Sequence, residues 1–560
     1  MSDSKAGKAT AKVLRQSNNE WSVEYLAIAM GVIMLLFAVH HWLNVIHFRY
    51  GPKARPELIR TYRKVRQLLF RSKCGIRTDR SLLYITYWTI NLALAVTNVD
   101  LNEVSYVAKR FGWISVGNLV LLVFLALKNT PLAPLTGNSY EKLRPLHKVA
   151  GYTCIFTSIL HAIVYLSAWA ETGKLAKMRI RKNYAGVIAG TAMVIIGLST
   201  ITYFTRRYYE LFYMLHILMF SLIMIAVGMH RPEFSSSTVI IVIFTASLWV
   251  TDRLIRGAKM VWNFVGNSAT VSALPNEALR IRLNRHLRSS PGSHAFLWVP
   301  AVRWVESHPF TLLSSKPTEF VIRVYDGFTR DLYKAAQRAP GRSLRCSVDG
   351  PYGQVPNFEV YEKVVLVAGG SGASFTFAIA LTLIEAATKI AKSIDFIWVV
   401  RHYGKLNPHE GLLYSQILMC HIESLEWFAE ELKHLHTSPD VNLIIHVTSP
   451  SSPLNTGSSA EKEITPIQPS LSVRTNDPEK THFNESIVKF HFLADCVRSG
   501  RPDIESLIRT ASNLRDNADD RIIVGACGPK ELISITRQAV KNDMRGERLS
   551  VTLYTEVCMY

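Results

Sequence analysis

Four histidines occur at one repeated spacing inside two apolar stretches. His147 and His161 lie in LHKVAGYTCIFTSILHAIVY, and His216 and His230 lie in FYMLHILMFSLIMIAVGMH, so each pair is 14 residues apart. Fourteen residues are close to four helical turns, which puts both members of a pair on one helix face, about 21 Å apart. Neutral imidazole is an axial ligand of haem iron. We therefore predict two b-type haems across a membrane, held by His147 with His216 and by His161 with His230.

A buried structural histidine would explain any one of these residues. Ionisable side chains inside membrane spans are rare, however, and usually functional. Four histidines with matched spacing on two segments therefore favour metal ligation.

A second chemical signal is a glycine-rich turn made by Gly369, Gly370, Ser371 and Gly372. It follows the apolar run KVVLVA and precedes the apolar run FTFAIALTLIEAAT. Glycines let backbone amides approach a pyrophosphate, and the start of the next helix favours its negative charge. The turn therefore predicts a dinucleotide site.

The histidines lie within a series of apolar stretches that ends near residue 256. Each is about as long as a bilayer span of roughly 20 residues, or slightly shorter. One such stretch could be a soluble core helix, but a series predicts a membrane α-helical bundle over residues 22–256, after a short tail, 1–21. The predicted spans are 22–48, 81–97, 113–127, 147–169, 185–203, 211–230 and 238–250.

The charge distribution predicts the orientation of these spans. The formal net charge is +21, and residues 49–80 contribute 11 Lys/Arg against Glu57 and Asp79. The positive-inside rule places this loop in the cytosol, with the N-terminus outside and the C-terminal half in the cytosol. The five basic residues of 171–182 run against this topology. We interpret the charge as a topological signal and an attraction to membrane lipid, and expect no nucleic-acid partner.

The second half has the composition of a water-soluble protein. Short β-type runs over 265–360 predict an antiparallel β-barrel, and alternating strands and helices over 361–560 predict a parallel α/β domain. The strand assignments include 488–496 and 521–528. A Ser/Pro/Thr-rich stretch, about 448–483, is expected to be a disordered insertion. The seven cysteines have no regular spacing, which excludes a disulfide-built module.

The order of motifs resembles a known family. The paired histidines, HPFTLLS, VDGPYG, LVAGGSGAS and GACGP follow one another along most of the chain. This pattern resembles the ferric reductase and NADPH oxidase superfamily, and especially fungal ferric-chelate reductases. The resemblance implies a ferredoxin-reductase-like cytosolic module, in which the barrel binds FAD and the α/β domain binds NADPH.

The resemblance also implies roles for individual residues. The FAD site would be formed by His308, Pro309, Phe310, Thr311 and Ser314, with Gly350 and Pro351 near the flavin–nicotinamide junction. NADPH would bind through Gly369, Gly370, Ser371, Gly372, Arg401 at the 2′-phosphate, and Cys527, Gly528 and Pro529 beside the nicotinamide. Relatives commonly end in an aromatic residue over the flavin, and here Tyr560 is the candidate. Singly, Pro309 and Gly350 could be turn formers, Arg401 a surface charge, and Cys527 a buried thiol.

The expected function is electron transfer from cytosolic NADPH through FAD and two haems to a ferric chelate, with cupric ion as a further acceptor. One alternative is an NADPH oxidase that produces superoxide from O2. Another is a non-catalytic membrane scaffold or transporter subunit. Family precedent favours the plasma membrane.

Overall fold

The chain forms two compact units, Met1–Ala258 and Lys259–Tyr560. The computed structural model describes residues 2–50, 78–231, 236–386, 390–401, 425–448, 490–513, 521–543 and 551–557. The expected insertion at about 448–483, apart from Thr448, lies outside the described residues, as do most of the basic loop 49–80 and Tyr560.

The first unit is a helical bundle. Its helices are α1 (Ser2–Tyr50), α2 (Thr78–Val96), α3 (Val104–Ala126), α4 (Leu132–Thr136), α5 (Tyr140–Glu171), α6 (Arg181–Ser199), α7 (Thr202–Arg207), α8 (Tyr209–Met229) and α9 (Ser237–Phe264). Among the described residues, six helices are long and apolar enough to cross a membrane: α1, α3, α5, α6, α8 and α9. The remaining predicted span lies in α2, whose apolar part, Ser81–Val96, is shorter. The bundle is therefore close to the predicted seven spans.

Lipid-facing and inward-facing surfaces of the bundle differ in the expected way. Large apolar side chains such as Leu218, Ile225 and Ile240 are exposed on the helix surfaces, as suits a hydrocarbon solvent. Inside, the buried Tyr87 hydroxyl donates to Asn118 Oδ1 over 2.5 Å, and Asn118 Nδ2 donates to Asn91 Oδ1 over 2.7 Å. These three polar side chains of the bundle interior are thus paired with one another.

The second unit begins with two antiparallel sheets around one apolar core. The elements are β1 (Ser268–Leu274), β2 (Ala278–Leu283), β3 (His294–Trp298), β4 (His308–Thr311), β5 (Ser314–Ser315), β6 (Thr318–Arg323), α10 (Phe328–Arg338), β7 (Ser343–Arg345) and β8 (Ser347–Tyr352). One sheet has the order β5-β6-β2-β1-β7 and the other β4-β3-β8. Their buried core includes Leu279, Ile281, Leu297 and Phe320. We call residues 265–360 the flavin domain.

The rest of this unit is a parallel sheet with helices, as the strand–helix alternation predicted. The elements are β9 (Lys363–Gly369), α11 (Ala373–Glu385), β10 (Ser393–Arg401), α12 (Ala429–Thr437), β11 (Val441–Thr448), β12 (Val497–Ser499), α13 (Ile504–Asn513), β13 (Ile522–Gly528), α14 (Lys530–Asp543) and β14 (Val551–Val557). The sheet order is β12-β11-β10-β9-β13-β14. We call residues 361–560 the nucleotide domain.

One strand assignment was wrong. The segment 488–496 was predicted to be a strand, but His491–Cys496 forms a 3₁₀-helix and only Val497–Ser499 pairs as β12. Phe490 and Leu493, three residues apart, are both fully buried. A three-residue period places such side chains on one face of a 3₁₀ turn, which alternation-based reading misses.

Candidate functional site

The structure brings the four bundle histidines together in two pairs. The ring centres of His147 and His216 are 6.4 Å apart, and those of His161 and His230 are 6.0 Å apart. Metal–imidazole bonds of about 2 Å on both sides of one ion put two ring centres about 6 Å apart. Each pair is therefore spaced to hold one metal ion between its rings.

Backbone carbonyl groups orient three of these rings. The Nδ1 atoms of His147, His161 and His230 lie 3.0, 2.7 and 2.8 Å from the carbonyl oxygens of Leu122, Ala108 and Lys182. An imidazole that donates from Nδ1 presents the lone pair of Nε2 to a metal. The Nδ1 atom of His216 is buried and has no hydrogen-bond partner among the described residues.

Two glycines leave room for the histidines of the second pair. A Cβ atom at Gly112 would lie 2.9 Å from His161 Nδ1, and one at Gly186 would lie 2.6 Å from His230 Cε1 and Nδ1. Sequence reasoning missed both residues. The available signal was a glycine inside an apolar helix, which is unfavourable by about 1 kcal/mol and calls for a packing reason. Ring spacing, tautomer and clearance together fit the predicted bis-histidine haem ligation.

The two motifs predicted to contact the flavin, residues 308–311 on β4 and residues 350–351 on β8, lie on strands that flank β3. Phe310 on β4 pairs with Ala295, and a Cβ at Gly350 on β8 would lie 2.9 Å from the Cβ of that same alanine. β4 is at the edge of its sheet in the described structure, where backbone groups are available to a cofactor. Pro309 is exposed, Thr311 is half-buried, and Ser314 follows on the short strand β5.

His308 and Phe310 make contacts inside the flavin domain itself. The His308 ring stacks on Phe328 at 4.8 Å between centres, and its Nε2 lies 3.2 Å from a Glu306 carboxylate oxygen. Phe310 also packs against Phe328, at 6.3 Å. These contacts hold the rings of His308 and Phe310 within the flavin domain. The predicted contact of β4 with FAD would therefore be made by the backbone groups at the edge of the sheet.

The glycine-rich turn packs directly on the Cys-Gly-Pro motif. A Cβ at Gly372 would lie 2.5 Å from the carbonyl oxygen of Cys527, and one at Gly369 would lie 2.7 Å from Pro529 Cδ. Gly370 has φ of +55°, a conformation that favours glycine. Two motifs separated by over 150 residues thus form one surface, with Ser371 in the turn before α11.

The carboxyl ends of neighbouring parallel strands bring the other nucleotide residues to this edge. β9 lies between β10 and β13, so Gly369, Arg401 and Gly528 end adjacent strands. Arg401 is exposed, which leaves its guanidinium accessible to a phosphate. On β14, Val557 pairs with Gly528. The structure thus brings the predicted NADPH residues to one edge of the sheet, and their individual roles stay predictions. Tyr560, the predicted aromatic cover of the flavin, lies outside the described residues.

Three family models match the chain in order. They are "Ferric reductase like transmembrane component" over residues 111–227, "FAD-binding domain" over 263–356, and "Ferric reductase NAD binding domain" over 361–424 and 416–541. The first includes all of α8 except its last two residues, and the others cover the flavin and nucleotide domains.

Curated fungal relatives agree with these matches. The chain is 25% identical over 358 residues to "Probable cell surface ferric reductase kap2" of Aspergillus oryzae, a match that covers 58% of this chain and 45% of the relative. It is 26% identical over 383 residues to "Ferric/cupric reductase transmembrane component 1" of Candida albicans, covering 66% and 46%. The chain spans about half the length of these relatives. By its transmembrane, FAD-binding and NAD-binding matches, the chain belongs to the ferric reductase family.

Proposed function

We propose that this protein transfers electrons from cytosolic NADPH, by way of FAD and two bis-histidine haems, to ferric chelates on the far side of the membrane. The observation that carries the proposal is the pair of ring spacings, 6.4 and 6.0 Å, at two levels of one helical bundle. Matches to FAD-binding and NAD-binding families in the same chain support the electron donor side.

The nucleotide domain supplies the donor site. The glycine-rich turn offers backbone amides and the start of α11 to a pyrophosphate, and Arg401 offers a guanidinium fork to a 2′-phosphate. Gly369 and Gly372 let that turn lie against Cys527 and Pro529, so that a nicotinamide could reach the same surface. A bound flavin supplies the conversion of a two-electron donor into two one-electron steps.

The bundle supplies the path across the membrane. In each helix the histidines are 14 residues apart, so the two sites are separated by about 21 Å along the helix axes. His147 and His216 would hold the inner haem, and His161 and His230 the outer one. The hydrogen bonds from Nδ1 hold three of the rings in the ligating tautomer.

The orientation in this proposal comes from the basic loop 49–80 and the positive-inside rule. It places the N-terminus outside and the flavin and nucleotide domains in the cytosol. The plasma membrane is the proposed location, since an exported electron reaches an extracellular chelate only there.

The acceptor is proposed from the names of the relatives, which include ferric and ferric/cupric reductases. Intact cells that express the protein should reduce an impermeant ferric chelate, and superoxide dismutase should not inhibit a parallel dye-reduction assay. Dye reduction that superoxide dismutase abolishes, without chelate reduction, would instead identify an NADPH oxidase. A purified protein without a reduced bis-histidine haem spectrum would contradict both enzymes and favour a scaffold role.

A further inference from the structure

A buried ion-pair cluster joins the flavin domain to the nucleotide domain. Arg280 on β2 lies between Glu319 on β6 and Glu431 on α12, and the three side chains are 11%, 7% and 7% exposed. Arg280 Nη1 lies 2.9 Å from Glu431 Oε1, and Nη2 donates to Glu431 Oε2 over 3.0 Å. The guanidinium therefore binds the nucleotide-domain carboxylate with two donors, the strongest geometry for such a pair.

Two further hydrogen bonds connect the domains beside this pair. Arg280 Nη2 also donates to the carbonyl oxygen of Trp427 over 3.0 Å, and the Trp427 indole donates to the carbonyl oxygen of Pro275 over 3.0 Å. Trp427 is only 5% exposed. Polar groups of both domains are thus satisfied by each other, so separating the domains would leave buried donors and carboxylates unpaired. We call Arg280, Glu319, Trp427 and Glu431 the interdomain clamp.

The nucleotide side of the clamp is connected to the glycine-rich turn through packed aromatic rings. Phe428, next to Trp427, stacks on Phe377 of α11 at 4.7 Å and meets the edge of Trp398 at 5.7 Å. The Trp398 indole donates to the carbonyl oxygen of Gly370 over 3.1 Å. Packed rings and one hydrogen bond therefore connect the clamp to the turn.

A direct contact supports the same alignment at the start of α11. Ser374 Oγ donates to the carbonyl oxygen of Val321 on β6 over 3.1 Å. A Cβ at Gly292 would lie 2.6 Å from the Phe375 ring. The first turn of α11 therefore rests on the flavin domain, and the clamp fixes the domains at a second point.

We propose that Arg280 is a positioning residue for hydride transfer, because the interdomain clamp holds the nucleotide turn in register with the flavin strands β3, β4 and β8. This inference rests on the proposed function. A displacement of about 1 Å at a reacting centre can slow a reaction about 100-fold. Arg280 contacts neither the glycine-rich turn nor the predicted flavin motif of β4. Its loss should therefore lower the rate of hydride transfer more than the affinity for NADPH.

The test is anaerobic stopped-flow reduction of the flavin in purified, FAD-loaded, full-length protein. For Arg280→Met we expect the limiting rate to fall about 10- to 100-fold, with the dissociation constant of NADPH changed less than about threefold. Arg280→Lys should recover part of the rate, since an ammonium keeps the charge but cannot reproduce the planar fork. The matched control is Arg330→Met, which removes an ion pair with Glu277 inside the flavin domain and should leave the rate unchanged.

Hydrogen–deuterium exchange supplies a readout that does not depend on turnover. Residues 318–322, which include Glu319, and 426–437, which include Glu431, should exchange faster in Arg280→Met and not in Arg330→Met. If Arg280→Met fails to retain FAD, Glu431→Gln tests the same bond with a smaller change. An unaltered limiting rate, or a slower rate without faster exchange at both segments, would overturn the positioning role. If NADPH does not reduce the flavin of the wild-type protein, the proposed function itself would be overturned.

Discussion

Replacement of Gly186 by Ala should remove the outer haem. The added Cβ would lie 2.6 Å from Cε1 and Nδ1 of His230, whereas ordinary van der Waals contact begins at 3.4 Å. The His230 ring must therefore retreat by about 0.8 Å. Metal–ligand distances in proteins tolerate about 0.2 Å, so a displacement of this size takes the imidazole out of bonding range.

The effect on folding should be small by comparison. Alanine is favoured over glycine in a helix by about 1 kcal/mol. The shifted ring would lose its hydrogen bond to the Lys182 carbonyl, 2.8 Å away, which is worth about 1 kcal/mol. These opposite contributions nearly cancel, so the variant should fold with one haem site intact.

The measurement is the ratio of haem to polypeptide in purified protein, together with a redox titration of the haem absorption. Wild type should contain two haems with two reduction steps, and Gly186→Ala about one haem and one step. The control is Gly190→Ala, one turn further along α6, where an added Cβ meets nothing within 4 Å. Two haems and an unchanged titration in Gly186→Ala would refute axial ligation by His230.

Three further substitutions test the remaining parts of the path. His161→Ala should abolish reduction of an external ferric chelate in cells, while NADPH still bleaches the flavin of the purified protein; loss of both would contradict the assigned order. Gly372→Ala would place a Cβ 2.5 Å from the carbonyl oxygen of Cys527, so the dissociation constant of NADPH, measured by titration, should rise at least about tenfold because a contact that short must displace backbone. Arg401→Gln should raise KM for NADPH about 10- to 100-fold, equivalent to about 1.4 to 2.8 kcal/mol, and leave KM for NADH nearly unchanged; equal effects on both cofactors would remove Arg401 from the 2′-phosphate site.

Helical and strand periodicity predicted most of the fold because the apolar stretches of the sequence coincide with the helices of the bundle and with the buried strands of the sheets. The apolar runs that form β9 and β13 are buried at every position, and β10 is buried at five of its nine positions, as central strands of a parallel sheet require. No strand was predicted for VTLYTEV, which forms β14. Its pairing with β13 depends on a partner more than 20 residues earlier.

Some features of the candidate sites depend on residues within one element, and others depend on contacts between distant elements. The spacing of the histidines is a property of each helix, and it predicted both pairs. The carbonyl partners of the rings and the clearances at Gly112 and Gly186 depend on which helices are neighbours, so no local pattern contains them. The interdomain clamp is the extreme case, since Arg280 and Glu431 are 151 residues apart.

One helix register brings both histidine pairs together, which supports a common ligand chemistry at the two levels. α5 packs mainly against α3, and α8 mainly against α6, so contact between α5 and α8 does not determine their register. A shift of α8 by one residue would turn it by about 100° and move it by about 1.5 Å, which would separate both histidine pairs together. Ring separations of 6.4 and 6.0 Å nevertheless occur at both levels. Histidines buried for unrelated structural reasons have no cause to match at two levels, whereas a common ligand chemistry requires it.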